Sequence, residues 1–153
     1  MASFVAVSGF MLGREMIGQT LHSTSQSILS SIKFITENYD IESNRLFDRL
    51  DLKFKLDIIS EFVHNIETKN IETKNKANHK HNSVIDKCIN YINDIISLIN
   101  KEVSLLETAV KNYNKKWIGT FSYSEFKLYY SKIEDHVKIL EQRFTMLTNI
   151  LNG

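Results

Sequence analysis

Five histidines, one cysteine and eighteen acidic side chains are the groups in this 153-residue chain that could hold a metal or move a proton. His79 and His81 stand in an Asn-His-Lys-His-Asn run with His64 upstream. Alternate residues of a loop can chelate weakly, but structural zinc wants four ligands and no carboxylate or cysteine sits beside them at ligand spacing. They read as solvated loop histidines. His22 and His136 fall on separate helices, as surface or core-edge residues. Cys88 lies next to Ile89 inside an apolar stripe, where burial raises a thiol pKa and leaves it inert. As the only cysteine it cannot form an intramolecular disulfide, which fits a reducing compartment. The carboxylates are scattered among lysines at i,i+3 and i,i+4, as solvated helix faces require. The chain has no phosphate-cradling glycine loop, no Gly-x-Ser-x-Gly elbow and no His-Glu-x-x-His helix. An enzyme would need a pocket joining Tyr130, Glu134 or His136 to a cofactor. The expectation is a protein without catalytic residues, metal, cofactor or small-molecule substrate.

Charge narrows the partners further. Nineteen basic and eighteen acidic side chains nearly cancel, which removes the electrostatic signature of backbone-directed nucleic-acid binding. Two apolar features remain as candidates for function. Residues 1–32 carry only Arg14 and Glu15 as charged groups. Within them Phe4, Val5, Val7, Gly9, Phe10, Met11, Leu12 and Gly13 form a stretch suited to insertion in a membrane or a partner. Ala2, Ala6, Gly9 and Gly13 share one helical face, and a small-xxx-small face lets another helix approach closely. The plainer reading is a helix packed on the bundle with its glycines tolerated, at a cost of about 1 kcal/mol each. The stretch is shorter than the roughly 20 residues of a membrane span. With no Lys or Arg before Phe4 it does not read as a signal peptide. The second feature is the aromatic run from Trp117 through Phe121 to Tyr123, at the tip between two long helices.

The uncharged, glycine-containing helix from Phe4 to Gly13, followed by a purely helical chain, resembles the HeLo-like family of membrane-disrupting helical bundles. That family includes the bundle of the necroptosis pseudokinase and fungal cell-death proteins. The resemblance covers layout, and the basic patch often found in the family has no counterpart around Arg14. It implies oligomerisation and insertion of the first helix.

The elements that must position these groups are helices. Proline is absent where an average chain of this length holds roughly seven, and only five glycines occur. Ile17, Leu21, Ile28, Ile32 and Ile35 keep near-helical spacing and predict a helix over about 4–38. Thr24 and Ser31 are expected on that stripe as small residues permitting close approach. Asn38 to Asp40 reads as a turn, and Arg45 to Leu50 as a short helical piece. Asp51 looks like an N-cap for a helix over 52–66, whose Leu52, Leu56, Ile59, Val63 and Ile66 step by 4 and 3. The tandem Ile66-Glu-Thr-Lys-Asn70 and Ile71-Glu-Thr-Lys-Asn75 then opens an apolar-poor segment, expected to be a polar linker over 67–82.

Ile85, Ile89, Ile92, Ile96, Ile99, Val103, Leu106, Val110, Tyr113 and Trp117 alternate steps of four and three without interruption. This predicts a rod over 84–117 of roughly 48 Å. Cys88, Tyr91, Ile95, Leu98 and Leu105 widen its apolar stripe, which implies that several helices pack on it. Gly119 ends the rod, and Ser122 with Glu125 makes a capping box for the next. Phe126, Tyr130, Ile133, Val137, Leu140, Phe144, Leu147 and Leu151 form a second seam, over 123–151. The short intervening loop folds the two rods back as an antiparallel hairpin.

The expected architecture is one all-α domain over 1–153, a four-helix bundle with a long C-terminal hairpin, from which residues 1–18 could detach. The expected function is a non-enzymatic interaction or structural module whose main partner is a second copy of itself, located in the cytoplasm or a virion. The alternative is a membrane-active bundle using residues 1–18. Isoleucine, lysine and asparagine dominate the composition, a bias of AT-rich genomes such as those of some protists, bacteria and large DNA viruses.

Overall fold

The computed structural model describes residues 14–38, 41–72, 79–115 and 123–153. Five helices fill them: α1 (Arg14–Asn38), α2 (Ile41–Leu50), α3 (Leu52–Glu72), α4 (His79–Lys115) and α5 (Tyr123–Asn152). The chain is an all-α helical bundle, and the described residues contain no strand.

The two long seams pack as their spacing predicts. Ile85, Ile89, Ile92, Ile96, Ile99, Val103, Leu106 and Val110 of α4 are buried, and so are Phe126, Ile133, Val137, Leu140 and Leu147 of α5. A step of alternating fours and threes keeps side chains on one flank of a helix, so each seam is a continuous apolar face. At the end of its seam Tyr113 is partly exposed and sets its ring edge-on to Phe126, 5.9 Å between centroids. At 1.5 Å per residue the 37-residue α4 is about 55 Å long. Its main packing partners are α5 and α1.

Named contacts fix the directions. Tyr113 meets Phe126 and Arg143 meets Tyr91, so α4 and α5 form the expected antiparallel hairpin. Ser31 meets Glu107 and Phe34 meets Lys111, so α1 and α4 are parallel neighbours. Gly18 faces Glu67, while Leu29 and Ile32 share a groove with Leu52 and Lys53, so α1 and α3 are antiparallel. Lys55 pairs with Glu141, and the Phe62 and Phe144 rings pack edge-on, which runs α3 parallel to α5. The four long helices therefore stand at the corners of a square, with α3 and α4, consecutive in sequence, on a diagonal. The short α2 leans on α1 and α5, held by Ser43 to Tyr130 and Arg49 to Glu134.

Several local expectations change. Helix α3 continues to Glu72, so the first pentapeptide copy is helical and Glu67 is buried. The polar linker is thus shorter than 67–82, because α4 begins at His79. The short helical piece before Asp51 starts earlier, at Ile41. On α1 the small buried residue is Ser25 rather than Thr24, alongside Ser31. Asp51 does not cap as a conventional extended N-cap. Its φ is 48°, its N–H donates to the Phe47 carbonyl at 3.0 Å, and its carbonyl accepts from Lys55 N–H at 3.1 Å. A single left-handed residue with a bond back to the fourth residue before it is the αL termination of α2, and it lets α3 start at once in a new direction.

Candidate interaction surface

The residues singled out for insertion, Phe4, Val5, Val7, Gly9, Phe10, Met11, Leu12 and Gly13, lie outside the described residues, as do Trp117 and Phe121 of the aromatic tip, Gly119 and Ser122. Tyr123 is the first residue of α5, and its side chain, like those of Glu125, His79 and His81, also lies outside them. Among the described residues no group of three or more His, Cys, Asp or Glu side chains could hold a metal, and no helix is long and apolar enough to cross a membrane. Cys88 is buried, and desolvation pushes its thiol pKa up. Tyr130 is hydrogen-bonded to Ser43 and Glu134 is paired with Arg49.

Two surfaces stand out. The first is a groove of about 660 Å³ between α1 and α3, where Gly18, His22 and Ser25 face Ser60, His64 and Glu67. Small residues open it: a Cβ on Gly18 would sit 2.5 Å from Glu67 Oε2. The Ser25 and Ser60 hydroxyls are buried without hydrogen-bond partners. A serine nucleophile needs a base in hydrogen-bond reach, and no side-chain hydrogen bond among the described residues joins either hydroxyl to His22 or His64. The groove is a polar gap between two helices.

The second surface is apolar and lies on α4. Val84, Tyr91, Leu98 and Leu105 are 46, 55, 44 and 41 % exposed. They are spaced by seven, so on a helix they draw one line along its length. This line is distinct from the buried seam through Ile92 and Ile99. The sequence places Tyr91, Leu98 and Leu105 on a stripe wider than a two-helix seam needs, and the described helices leave these three exposed. The reason is geometric: α1 and α5 sit on the two shoulders of the buried seam, and among the described residues no third helix packs on the far shoulder beyond α5.

Arg143 locates that shoulder. Its guanidinium Nη1 donates to the Tyr91 carbonyl at 2.6 Å, and its Cζ stands 5.7 Å from the Tyr91 ring centroid. The α5 face carrying Arg143 also carries Ile139, Met146 and Ile150, by i−4, i+3 and i+7 spacing, and Met146 is 61 % exposed. Beside the apolar line of α4, α5 thus presents Arg143 and the exposed Met146, with Ile139 and Ile150 half-buried against the core. Lys87, Asp94, Lys101 and Thr108 follow the stripe on its free side, and all four are exposed. Sequence reasoning missed Val84 and Met146; the step of seven from Val84 to Tyr91 was the available signal. Exposed apolar residues elsewhere are short: Phe54 and Ile58 on α3 are followed on their face by Glu61 and Asn65.

An isolated exposed leucine is ordinary, whereas a contiguous apolar face marks an interaction site. Comparison with known proteins finds no matching family model, no matching curated protein and no matching solved structure.

Proposed function

We propose that this protein is a non-enzymatic helical interaction module that works by self-association through the outer face of the α4–α5 hairpin. The observation that carries the reading is the heptad line of Val84, Tyr91, Leu98 and Leu105, uncovered along a rigid 37-residue helix. Heptad spacing is what a straight helical partner reads, because it keeps side chains in register over several turns. The buried seams give the hairpin the stiffness to present that line, and Arg143 holds Tyr91 in place from the side. A solvent-facing line of this length loses contact with water only when a second surface covers it, so apolar burial drives association.

Sedimentation velocity and light scattering over a concentration series test the reading. The mass should rise above that of one chain with concentration, and Leu98→Asp should hold the chain monomeric while leaving its helical circular dichroism intact. A wild-type chain that stays monomeric into the millimolar range overturns the proposal.

A further inference from the structure

We infer that the occupant of this face is a second copy of the chain, docked antiparallel about a two-fold axis at Leu98, with Asp94 of each copy paired to Lys101 of the partner subunit. The inference rests on the reading of the hairpin as a self-association module and adds its direction and register.

The argument starts from the residues beside the stripe. Lys87, Asp94 and Lys101 sit three positions after Val84, Tyr91 and Leu98, so they form a parallel line of exposed charge alternating plus, minus, plus. Two helices related by a two-fold axis perpendicular to both bring like positions to the same side of the interface. In that arrangement the charge line of one copy faces the charge line of the other, running in reverse. With the axis at Leu98, Tyr91 covers Leu105 of the partner subunit and Leu98 covers its own equivalent. Asp94 and Lys101 of the partner subunit then stand at nearly the same height, and two such pairs form across the axis.

Other arrangements fare worse on the same residues. Centring the axis midway along the stripe buries all four apolar positions but sets Asp94 against Asp94 of the partner subunit and Lys87 against Lys101 of the partner subunit. Like charges facing each other select against that register. Centring it on Tyr91 stacks the two Tyr91 side chains and brings together the two Arg143 guanidiniums held on them. A parallel pairing faces the charge line of each copy with the opposite shoulder of the other, where Cys88 and Ile95 are buried and α5 packs, so the two charge lines do not meet. Only the antiparallel register at Leu98 both covers Tyr91, Leu98 and Leu105 and pairs opposite charges.

The test uses the full chain and two charge variants. Asp94→Lys leaves three lysines on the line and Lys101→Asp leaves two aspartates beside Lys87, so each should self-associate about tenfold more weakly than wild type at low salt. Mixed together, the two variants should form heterodimers at near wild-type affinity, and the double variant Asp94→Lys/Lys101→Asp should recover homodimers. Leu98→Cys should give a spontaneous intersubunit disulfide under mild oxidation, and Val84→Cys should not. A chain that dimerises while the mixture shows no heterodimer preference and Leu98→Cys does not crosslink overturns this register and leaves self-association standing. A wild-type chain that never dimerises overturns both.

Discussion

Leu98 and Ile99 are consecutive residues of one helix with opposite surroundings, and truncating each to alanine separates folding from association. Ile99 is fully buried in the α4 seam, whereas Leu98 is 44 % exposed. Ile99→Ala removes buried methyl groups and leaves a cavity, which costs about 2–5 kcal/mol of monomer stability. Complete burial of a leucine side chain contributes about 1.5–3 kcal/mol, and Leu98 has realised about half of that within the monomer. Leu98→Ala should therefore cost the monomer about 1 kcal/mol. The remaining half is gained on association, about 1 kcal/mol per copy and about 2 kcal/mol per dimer, or roughly a 30-fold weaker dimer. Urea unfolding of dilute protein reads the first quantity, and sedimentation equilibrium the second. The expected pattern is graded on one axis and selective on the other: Ile99→Ala shifts the urea midpoint strongly, while Leu98→Ala shifts it less and weakens the dimer about 30-fold. Equal destabilisation of the monomer by both, or unchanged association in Leu98→Ala, refutes the assignment of the stripe as an interface.

Other parts of the bundle make separate predictions. The Ser43 hydroxyl is fully buried and lies 2.5 Å from the Tyr130 hydroxyl, which joins α2 to α5. Tyr130→Phe strands the buried serine and should cost about 1.5 kcal/mol, Ser43→Ala less because Tyr130 reaches solvent; additive effects in the double variant, by urea unfolding, argue against the bond. At Asp51, with φ of 48°, glycine should be more stable than alanine by about 1 kcal/mol, the reverse of the order at exposed mid-helix Ser97. Equal ordering at both sites in thermal melts contradicts the left-handed junction. Burial raises the Cys88 pKa, so the folded state holds the thiol proton more tightly than the unfolded chain. Its contribution is fully present below the ordinary thiol range of about 8.5 and is lost as pH rises through the higher folded value. Wild type should therefore lose more stability than Cys88→Ala between pH 7 and 10, and identical losses refute it. Finally, the self-association reading expects the full chain not to float with anionic vesicles. Flotation that disappears on deleting residues 1–13 would favour the membrane alternative.

The helices were legible because their signal is local. Alternating fours and threes from Ile85 to Val110 and from Phe126 to Leu147 demand one face of a 3.6-residue helix whatever the surroundings, and the absence of proline leaves nothing to interrupt them. The short connection after α4 likewise settled the antiparallel hairpin. Where the local signal was ambiguous, the sequence erred in small ways. The pentapeptide beginning at Ile66 is polar enough to pass for linker, yet Glu67 and Lys69 are good helix formers and α3 runs on through them to Glu72. Thr24 and Ser25 are both small and polar, and only the position of α3 decides that Ser25 is the one buried.

What the tertiary structure alone decided is which apolar surface is covered. Ile92, Ile96 and Ile99 are no more apolar in type than Leu98 and Leu105, yet the first three are sealed and the last two face solvent. Burial depends on where neighbouring helices stand, and that follows from the packing of distant segments rather than from spacing within one helix. The parallel contact of α1 with α4, marked by Ser31 on Glu107, has no signature in either segment alone. By placing α1 and α5 on adjacent shoulders of α4, the fold turns one half of a wide apolar stripe into core and leaves the other half as a surface.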